Sequence, residues 1–304
     1  MFSTYLLIPF LAHFVLANDP HNSLQLQWDV FLNPPVPAVN TPNNYSWSPT
    51  AFTLIHGPST AILVDAPITI ASSNALADWI EATIPGKKLT HNYITHGHGD
   101  HFFGASILQQ RFPGLQVVAT DRTFAHIKEQ VQPDQFNGFW APLFPNGQIP
   151  IQNETFTVLP RNHEFPLDGH IVRAVEVGQS DTYNTTVLHI PSLSMVVTGD
   201  VVYGSCFQYL VESDTAELRD EWIKAIDEVE ALKPKIVVPS HKQDWDGYGT
   251  DHLEKTRHYL RTWGALAGEA KNATEFIGKV KGAFPDRVGD FILEISAEAA
   301  FPSA

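Results

Sequence analysis

The chain has 304 residues, of which 43% are hydrophobic and 11% aromatic, and its formal net charge is −14. This length and apolar content suffice for one large domain or two small ones, and they exclude a disordered chain. The acidic balance disfavours nucleic acid as a partner, because the phosphate backbone requires a basic surface.

Residues 1–17 are typical of a secretory signal peptide. Their apolar run, residues 5–16, is too short to cross a membrane, and Val15-Leu16-Ala17 offers a cleavage site. A buried N-terminal strand is the alternative, because no Lys or Arg precedes the run. We therefore expect a secreted protein without membrane association after processing. Four Asn-x-Ser/Thr triplets support secretion, and they begin at Asn44, Asn153, Asn184 and Asn272.

The pattern of elements predicts an α/β protein. Residues 18–50 are rich in Pro and Asn and indicate an irregular arm. Beyond the arm, short strands and amphipathic helices alternate, with no internal repeat and no linker that divides the chain. We expect two β-sheets faced by outer helices in one domain, residues 18–304. The central core of this domain spans about 51–245, and further helices occupy about 250–300.

One loop-like segment, residues 133–150, lacks periodicity and carries several aromatic side chains. A connection of this length is usually functional or disordered. Its aromatic residues favour an ordered flap over a pocket for a small-molecule substrate, with packing into the core as the alternative.

Three histidines and an aspartate lie close together at the end of a predicted strand: His96, His98, Asp100 and His101. Gly97 and Gly99 allow the tight backbone path that this spacing requires. A turn from strand to helix is where α/β proteins usually build their sites. Imidazole and carboxylate ligands suit zinc, with manganese or iron as alternatives.

The His-x-His-x-Asp-His pattern resembles that of the metallo-β-lactamase superfamily. This resemblance implies a four-layer αβ/βα sandwich, a bridging aspartate after a later strand and a final histidine after another. Asp200 and His241 follow apolar runs in that order. Asp65 matches the family aspartate that supports the metal loop without binding metal.

The chain departs from the family pattern at one position. Gln179 stands where the family usually has a third histidine for the first metal, and Asp181 could substitute two residues later. A glutamine amide should hold zinc more weakly than imidazole. We interpret His163 and His189 as ordinary structural residues.

The resemblance implies one or two Zn²⁺ ions, with the second site the more secure. The first ion would be held by His96 and His98, with Gln179 as a candidate third ligand. The second would be held by Asp100, His101 and His241, and Asp200 would bridge the two.

The resemblance also implies the chemistry. A metal-bound water loses its proton near neutral pH and attacks a carbonyl carbon. Asp100 or Asp200 orients this nucleophile and can pass a proton to the leaving group. The second metal or Tyr203 polarises the carbonyl oxygen. Tyr203 resembles a tyrosine of the lactone-hydrolysing branch that binds the substrate carbonyl from near this spacing. Packing is the alternative role for Tyr203. Cys206, the single cysteine, is expected to pack rather than react.

The leading hypothesis is a metal-dependent hydrolase of a small cyclic ester or amide, that is, a lactone or lactam. The alternatives are a thioesterase or esterase that uses the same metals, an iron-dependent sulfur dioxygenase, and a non-catalytic binding protein with a degenerate site.

Overall fold

The structure, a computed structural model, describes residues 25–302. The predicted signal peptide, residues 1–17, lies outside this range. Within residues 25–302, none of the helices combines the length and the apolar character needed to cross a membrane.

The strands and helices alternate along the chain. In chain order the strands are β1 (Gln27–Asn33), β2 (Val36–Pro37), β3 (Ser46–Trp47), β4 (Thr50–His56), β5 (Thr60–Val64), β6 (Lys88–Tyr93), β7 (Gln116–Ala119), β8 (Phe156–Val158), β9 (Glu164–Leu167), β10 (His170–Gly178), β11 (Thr185–Ile190), β12 (Met195–Val197) and β13 (Ile236–Val238). The helices are α1 (Ile70–Thr83), α2 (Gly99–Phe102), α3 (Ala105–Arg111), α4 (Asp121–Gln130), α5 (Pro133–Gln135), α6 (Ala141–Leu143), α7 (Ala216–Ala231), α8 (Asp251–Glu269), α9 (Ala273–Ala283) and α10 (Asp290–Ala300).

The strands form two large sheets. The first has the order β1-β4-β5-β6-β7-β8, and the second has the order β13-β12-β11-β10-β9. β5 to β8 run parallel to one another, as do β12 and β13, whereas the remaining pairs in these two sheets are antiparallel. The short β2 and β3 pair separately.

Alternation along the strands explains the layers. In β5, Ile62 and Val64 pack into the core between the sheets, whereas Leu63 packs against the outer helix α1. In β13, Val238 faces the other sheet and Val237 faces α7 and α8. Because both faces of each sheet are covered, the strands are apolar on both sides. The result is the predicted αβ/βα arrangement of four layers.

Helix starts follow local capping chemistry. The Thr69 side chain accepts a hydrogen bond from the Ser72 amide at the start of α1. Thr120, Thr215 and Asn272 cap α4, α7 and α9 in the same way. These side chains satisfy amide groups that have no partner inside the helix.

The prediction of an irregular arm over residues 18–50 is wrong for part of that stretch. Gln27–Asn33 forms the edge strand β1, which pairs antiparallel with β4 along its whole length. Pro- and Asn-rich residues flank this seven-residue strand, so its sequence did not predict a strand. The hydrogen-bond partners that stabilise it come from β4. Within residues 133–150, the structure also forms short helical turns between Pro133 and Leu143.

Candidate metal centre

The loop between β6 and α2 carries the histidine motif, and Asp65 at the end of β5 holds it in place. Asp65 accepts hydrogen bonds from the Thr95 amide at 2.8 Å and from the Thr95 hydroxyl at 2.9 Å. It also lies 2.9 Å from Nδ1 of His101. Asp65 adopts a positive φ of 64°, a conformation that aspartate tolerates better than most residues. Its side chain thereby orients both the loop and one imidazole.

The first group of ligand atoms comprises Nε2 of His96, Nδ1 of His98 and Oδ2 of Asp181. These atoms lie within 4.8 Å of one another. Oδ2 of Asp181 is 2.8 Å from His98 Nδ1 and 3.5 Å from His96 Nε2. All three residues are buried, so the group can enclose a small cation.

The structure favours Asp181 over Gln179 as the third member of this group. The Gln179 amide nitrogen donates to the carbonyl oxygens of Ser180 and Glu212, at 3.1 and 3.0 Å, and to the Ser213 hydroxyl at 2.9 Å. Ligation by Gln179 stays a prediction, and Asp181 is the better candidate because its carboxylate lies beside both imidazoles. The Gln179 amide ties the end of β10 to the loop that carries Glu212.

The second group comprises Oδ2 of Asp100 and the Nε2 atoms of His101 and His241. The Asp100 oxygen lies 3.5 Å from His101 Nε2 and 3.3 Å from His241 Nε2. Because His241 follows β13 and Asp100 lies in α2, the two sheets must meet at this edge to assemble the group.

Asp200 lies between the two groups. Its Oδ1 is 3.3 Å from His101 Nε2, and its Oδ2 is 3.3 Å from His241 Nε2. It also forms a compact set with His96 and His101. This position fits the bridging role that the sequence predicts for the aspartate after β12.

The donor atoms fit a bound transition metal. Nε2 of His96, Nε2 of His101 and Oδ1 of Asp200 are buried, and each lacks a hydrogen-bond partner. Unpaired buried polar atoms are costly, and ligation by a cation removes that cost. Mixed imidazole and carboxylate ligands match zinc and related divalent ions.

The pKa values show how strongly these groups interact. Burial alone would lower the pKa of His101, but Asp100, Asp200 and Asp65 outweigh it and raise that pKa to about 9. Burial, together with the neighbouring His101, lowers the pKa of His96 to about 4. Burial disfavours the charged carboxylate of Asp100, yet His101 and His241 hold its pKa below the ordinary range.

Two further contacts orient the imidazoles through the ring nitrogens that are not part of the ligand groups. Nε2 of His98 is 3.2 Å from Oε1 of Glu212. Nδ1 of His241 is 3.1 Å from the carbonyl oxygen of Pro49. Such partners fix the ring orientation of metal-binding histidines. The sequence analysis missed Glu212, because nothing in the spacing of residues 205–215 marks it as a partner of a histidine more than 100 positions earlier.

His126 is a second residue that the sequence analysis missed. With His98 and Glu212 it forms a third compact set of potential ligand atoms. Burial first, and then the neighbouring His98, lower the pKa of His126 to about 4. His126 lies within the helix α4, and nothing in the sequence of that helix links it to the histidine motif of residues 96–101.

Tyr203 is buried beside the second group. Its hydroxyl donates to Oδ2 of Asp200 at 2.5 Å, and its ring stacks on His241 with centroids 5.4 Å apart. Burial first, and then Asp200, raise its pKa well above the ordinary value. The hydroxyl is therefore protonated at neutral pH and remains a hydrogen-bond donor.

A cavity that is partly open to solvent lies against the ligand groups, and its empty space of about 410 Å³ includes open solvent. Phe139 and Trp140 of the 133–150 segment line it, as the flap hypothesis expects, and so does Trp47. The Trp47 indole donates to Oδ2 of Asp100 at 2.8 Å. Trp140 is buried in the core as well, so the flap and the packing interpretations both hold for this segment.

The remaining chemistry-bearing residues of the sequence analysis lie elsewhere. Cys206 is buried, and burial raises the pKa of its thiol. His189 lies in β11 and belongs to none of the compact ligand sets among residues 25–302. His163 belongs to a separate set with Asp121 and Glu176.

Comparisons with known proteins agree with this architecture. The family model described as the metallo-beta-lactamase superfamily matches residues 45–241. No curated protein sequence gives a significant match.

Solved structures show the same fold at low sequence identity. A metallo-beta-lactamase family protein from Thermus thermophilus has a TM-score of 0.61 at 15% identity, and the match covers 89% of this chain and 91% of that chain. A metallo-beta-lactamase from Pontibacter korlensis has a TM-score of 0.56 at 18% identity, with coverage of 78% and 99%. FIM-1 from Pseudomonas aeruginosa, in its mono-zinc form, has a TM-score of 0.54 at 18% identity, with coverage of 78% and 91%. The family match spans more than half of the chain and ends at the last histidine of the centre, and on this ground the protein belongs to the metallo-beta-lactamase superfamily.

Proposed function

We propose that the protein is a zinc-dependent hydrolase that opens a small lactone or lactam. The observation that carries this proposal is the pair of ligand groups joined by Asp200 at the edge of a cavity walled by aromatic side chains. A mono-zinc form of the similar FIM-1 structure supports zinc as the ion.

A divalent ion held by these residues would supply Lewis acidity toward a carbonyl group and an attacking water. His96, His98 and Asp181 would hold one ion, and Asp100, His101 and His241 would hold another, with Asp200 between them. Asp65, Glu212 and the Pro49 carbonyl fix three of the imidazoles, so the ligand set is organised before metal arrives.

The protein's own groups would act on the substrate around this centre. The Tyr203 hydroxyl is a protonated donor at the cavity wall, and it can turn from Asp200 to the oxygen of a substrate carbonyl. Asp100 can take the proton that the attacking water loses and pass it to the ring oxygen or nitrogen that leaves the carbonyl carbon, while Trp47 restrains its carboxylate. The rings of Phe139 and Trp140 limit the access of bulk water.

The test is a hydrolysis screen of lactones, lactams and thioesters with zinc-loaded protein. We expect at least one lactone or lactam to be opened, and activity to disappear in His101→Ala. A matched control is His189→Ala, which removes a histidine outside the ligand sets and should retain activity. Opening of thioesters alone would favour the thioesterase alternative, and no turnover of any class would reject the hydrolase.

One observation favours a second candidate. His96, His98 and Asp181 form a two-histidine, one-carboxylate set, the donor set of non-haem iron oxygenases. This supports the iron-dependent dioxygenase alternative. The complete second group beside it favours the hydrolase, because a mononuclear iron site would leave those ligands without a role. Elemental analysis distinguishes them: zinc supports hydrolysis, and iron with oxygen consumption supports the dioxygenase.

A further inference from the structure

The cavity at the metal centre has a mixed lining. Five apolar side chains contribute to it, Trp47, Phe139, Trp140, Phe207 and Ile292, together with candidate metal ligands. Aromatic walls of this kind contribute binding energy to a ring or bulky apolar group. The cavity therefore suits a compact molecule with an apolar body and one polar reacting group.

The cavity offers no permanently charged basic side chain to an anionic substrate, and its two lining histidines, His98 and His241, belong to the ligand groups. Among the described residues that line it, none is a lysine or arginine, and Glu212 adds a carboxylate to the wall. Two nearby cationic side chains, the buried Lys242 and the partly buried Arg287, are engaged elsewhere. Lys242 donates to the Gln243 carbonyl at 2.7 Å, and Arg287 donates to the carbonyl oxygens of Gly204 and Cys206.

The charges of the centre do not replace the missing cation. Asp100, Asp181, Asp200 and Glu212 carry four carboxylates within the ligand sets. Two divalent ions would balance this charge, and one ion would leave an excess of negative charge. With either metal content, the site has no net positive charge to attract a substrate carboxylate.

We propose that the site selects uncharged lactones or lactams with an aromatic or bulky apolar body, and that it discriminates against substrates with a carboxylate on that body. This inference rests on the proposed hydrolase function and narrows its substrate class. It disfavours β-lactam antibiotics, which carry a carboxylate beside the lactam ring.

The first test compares a matched pair of lactones on the zinc-loaded protein. Dihydrocoumarin is uncharged, and 6-carboxydihydrocoumarin differs only by its carboxylate. We expect kcat/KM to be about tenfold or more lower for the carboxylate, because a negative group would lie among carboxylates with no basic partner. Equal values, or a preference for the carboxylate, would overturn the inference.

A variant with an added positive charge sharpens the test. Gln135 is exposed at the cavity mouth, so Gln135→Lys places an ammonium group there. We expect this variant to reduce the preference for the uncharged lactone by roughly two- to fivefold, the effect of an exposed ion pair. Asn137→Lys adds the same charge on the same exposed segment but outside the cavity lining, and it should leave the preference unchanged. An equal change in the preference for the uncharged lactone in both variants would contradict an effect specific to the cavity.

A binding measurement separates this inference from the hydrolase proposal. Chroman and chroman-6-carboxylate have the same ring system without a bond to hydrolyse, and quenching of Trp47 and Trp140 fluorescence reports their binding. We expect chroman to bind about tenfold more tightly or better. If the hydrolysis screen finds no turnover of any class while chroman shows this advantage, the hydrolase proposal fails and the selectivity for uncharged ligands stands. Equal binding of both ligands would reject that selectivity.

Discussion

Among single residues, Gln179 occupies the position where the family pattern has a histidine ligand, and Asp181 follows two residues later. Gln179 uses its amide nitrogen to hold the loop of Glu212 and Ser213, while the Asp181 carboxylate lies beside His96 and His98. A carboxylate is a harder donor than imidazole and adds a negative charge. The first ligand group should therefore bind its ion with a different selectivity from a three-histidine site.

The first prediction concerns Asp181. Asp181→Ala removes one of three ligands from the first group, so we expect metal content to fall by about one ion per chain after zinc loading. Asp134→Ala, which removes an exposed carboxylate from the flap, is the matched control and should not change metal content. Elemental analysis of both variants checks this. An unchanged zinc content in Asp181→Ala would show that the carboxylate does not hold metal.

The second prediction concerns Tyr203. Tyr203→Phe keeps the ring that stacks on His241 and removes only the hydroxyl. If that hydroxyl stabilises the developing oxyanion, kcat should fall roughly 100-fold, the loss expected for one such donor. Tyr248→Phe removes a hydroxyl outside the cavity and should leave kcat unchanged. A change of only a few-fold in Tyr203→Phe, with metal content intact, would assign it a packing role.

Among the secondary-structure elements and their connections, the segment before β8 contains a buried acidic side chain that the catalytic proposal does not use. Oε2 of Glu154 is buried without a hydrogen-bond partner. Burial raises its pKa to about 7 from the ordinary value of 4.5. The folded protein therefore holds this carboxyl in its neutral form at a pH where the unfolded chain has already lost the proton.

This gives the third prediction. A raised folded-state pKa contributes stability below pH 4.5, and that contribution is lost as pH rises toward about 7. Glu154→Gln keeps the shape of the side chain without its charge. The substitution should therefore raise the free energy of unfolding by about 2 kcal/mol more at pH 8 than at pH 5. Denaturant unfolding of both proteins at the two pH values measures the difference. The same difference in stability at both pH values would contradict a neutral Glu154.

For the protein as a whole, the exposure of the predicted glycosylation sites is relevant to the predicted secretion. Three of the four predicted glycosylation sites, Asn44, Asn153 and Asn272, are exposed, and Asn184 is partly buried. Asn272 also caps α9 through its side-chain oxygen. A sugar attached to the amide nitrogen would leave this cap oxygen free to accept its hydrogen bond.

The fourth prediction is that the mature protein lacks residues 1–17 and carries sugar on at least one exposed sequon. Intact mass before and after glycosidase treatment of protein from its native host measures both features. Full-length protein without sugar in the cytosol would reject secretion.

Sequence patterns were enough to identify the family, the alternation of strands and helices, and the candidate ligands that share one short motif or end a strand. These features depend on the spacing of residues within short segments and on the alternation of inward- and outward-facing residues along strands. Both can be read directly from the sequence. The same reasoning missed β1, because its hydrogen-bond partners lie in β4 rather than nearby in sequence.

The choice between Gln179 and Asp181 required the folded arrangement, which also brings Glu212, His126 and Trp47 to the centre. These residues come from separate loops and helices that meet where the two sheets end. Their roles depend on side-chain direction and on distances of about 3 Å, the range of a hydrogen bond. Spacing along the chain cannot fix such distances, because they arise from packing between segments distant in sequence.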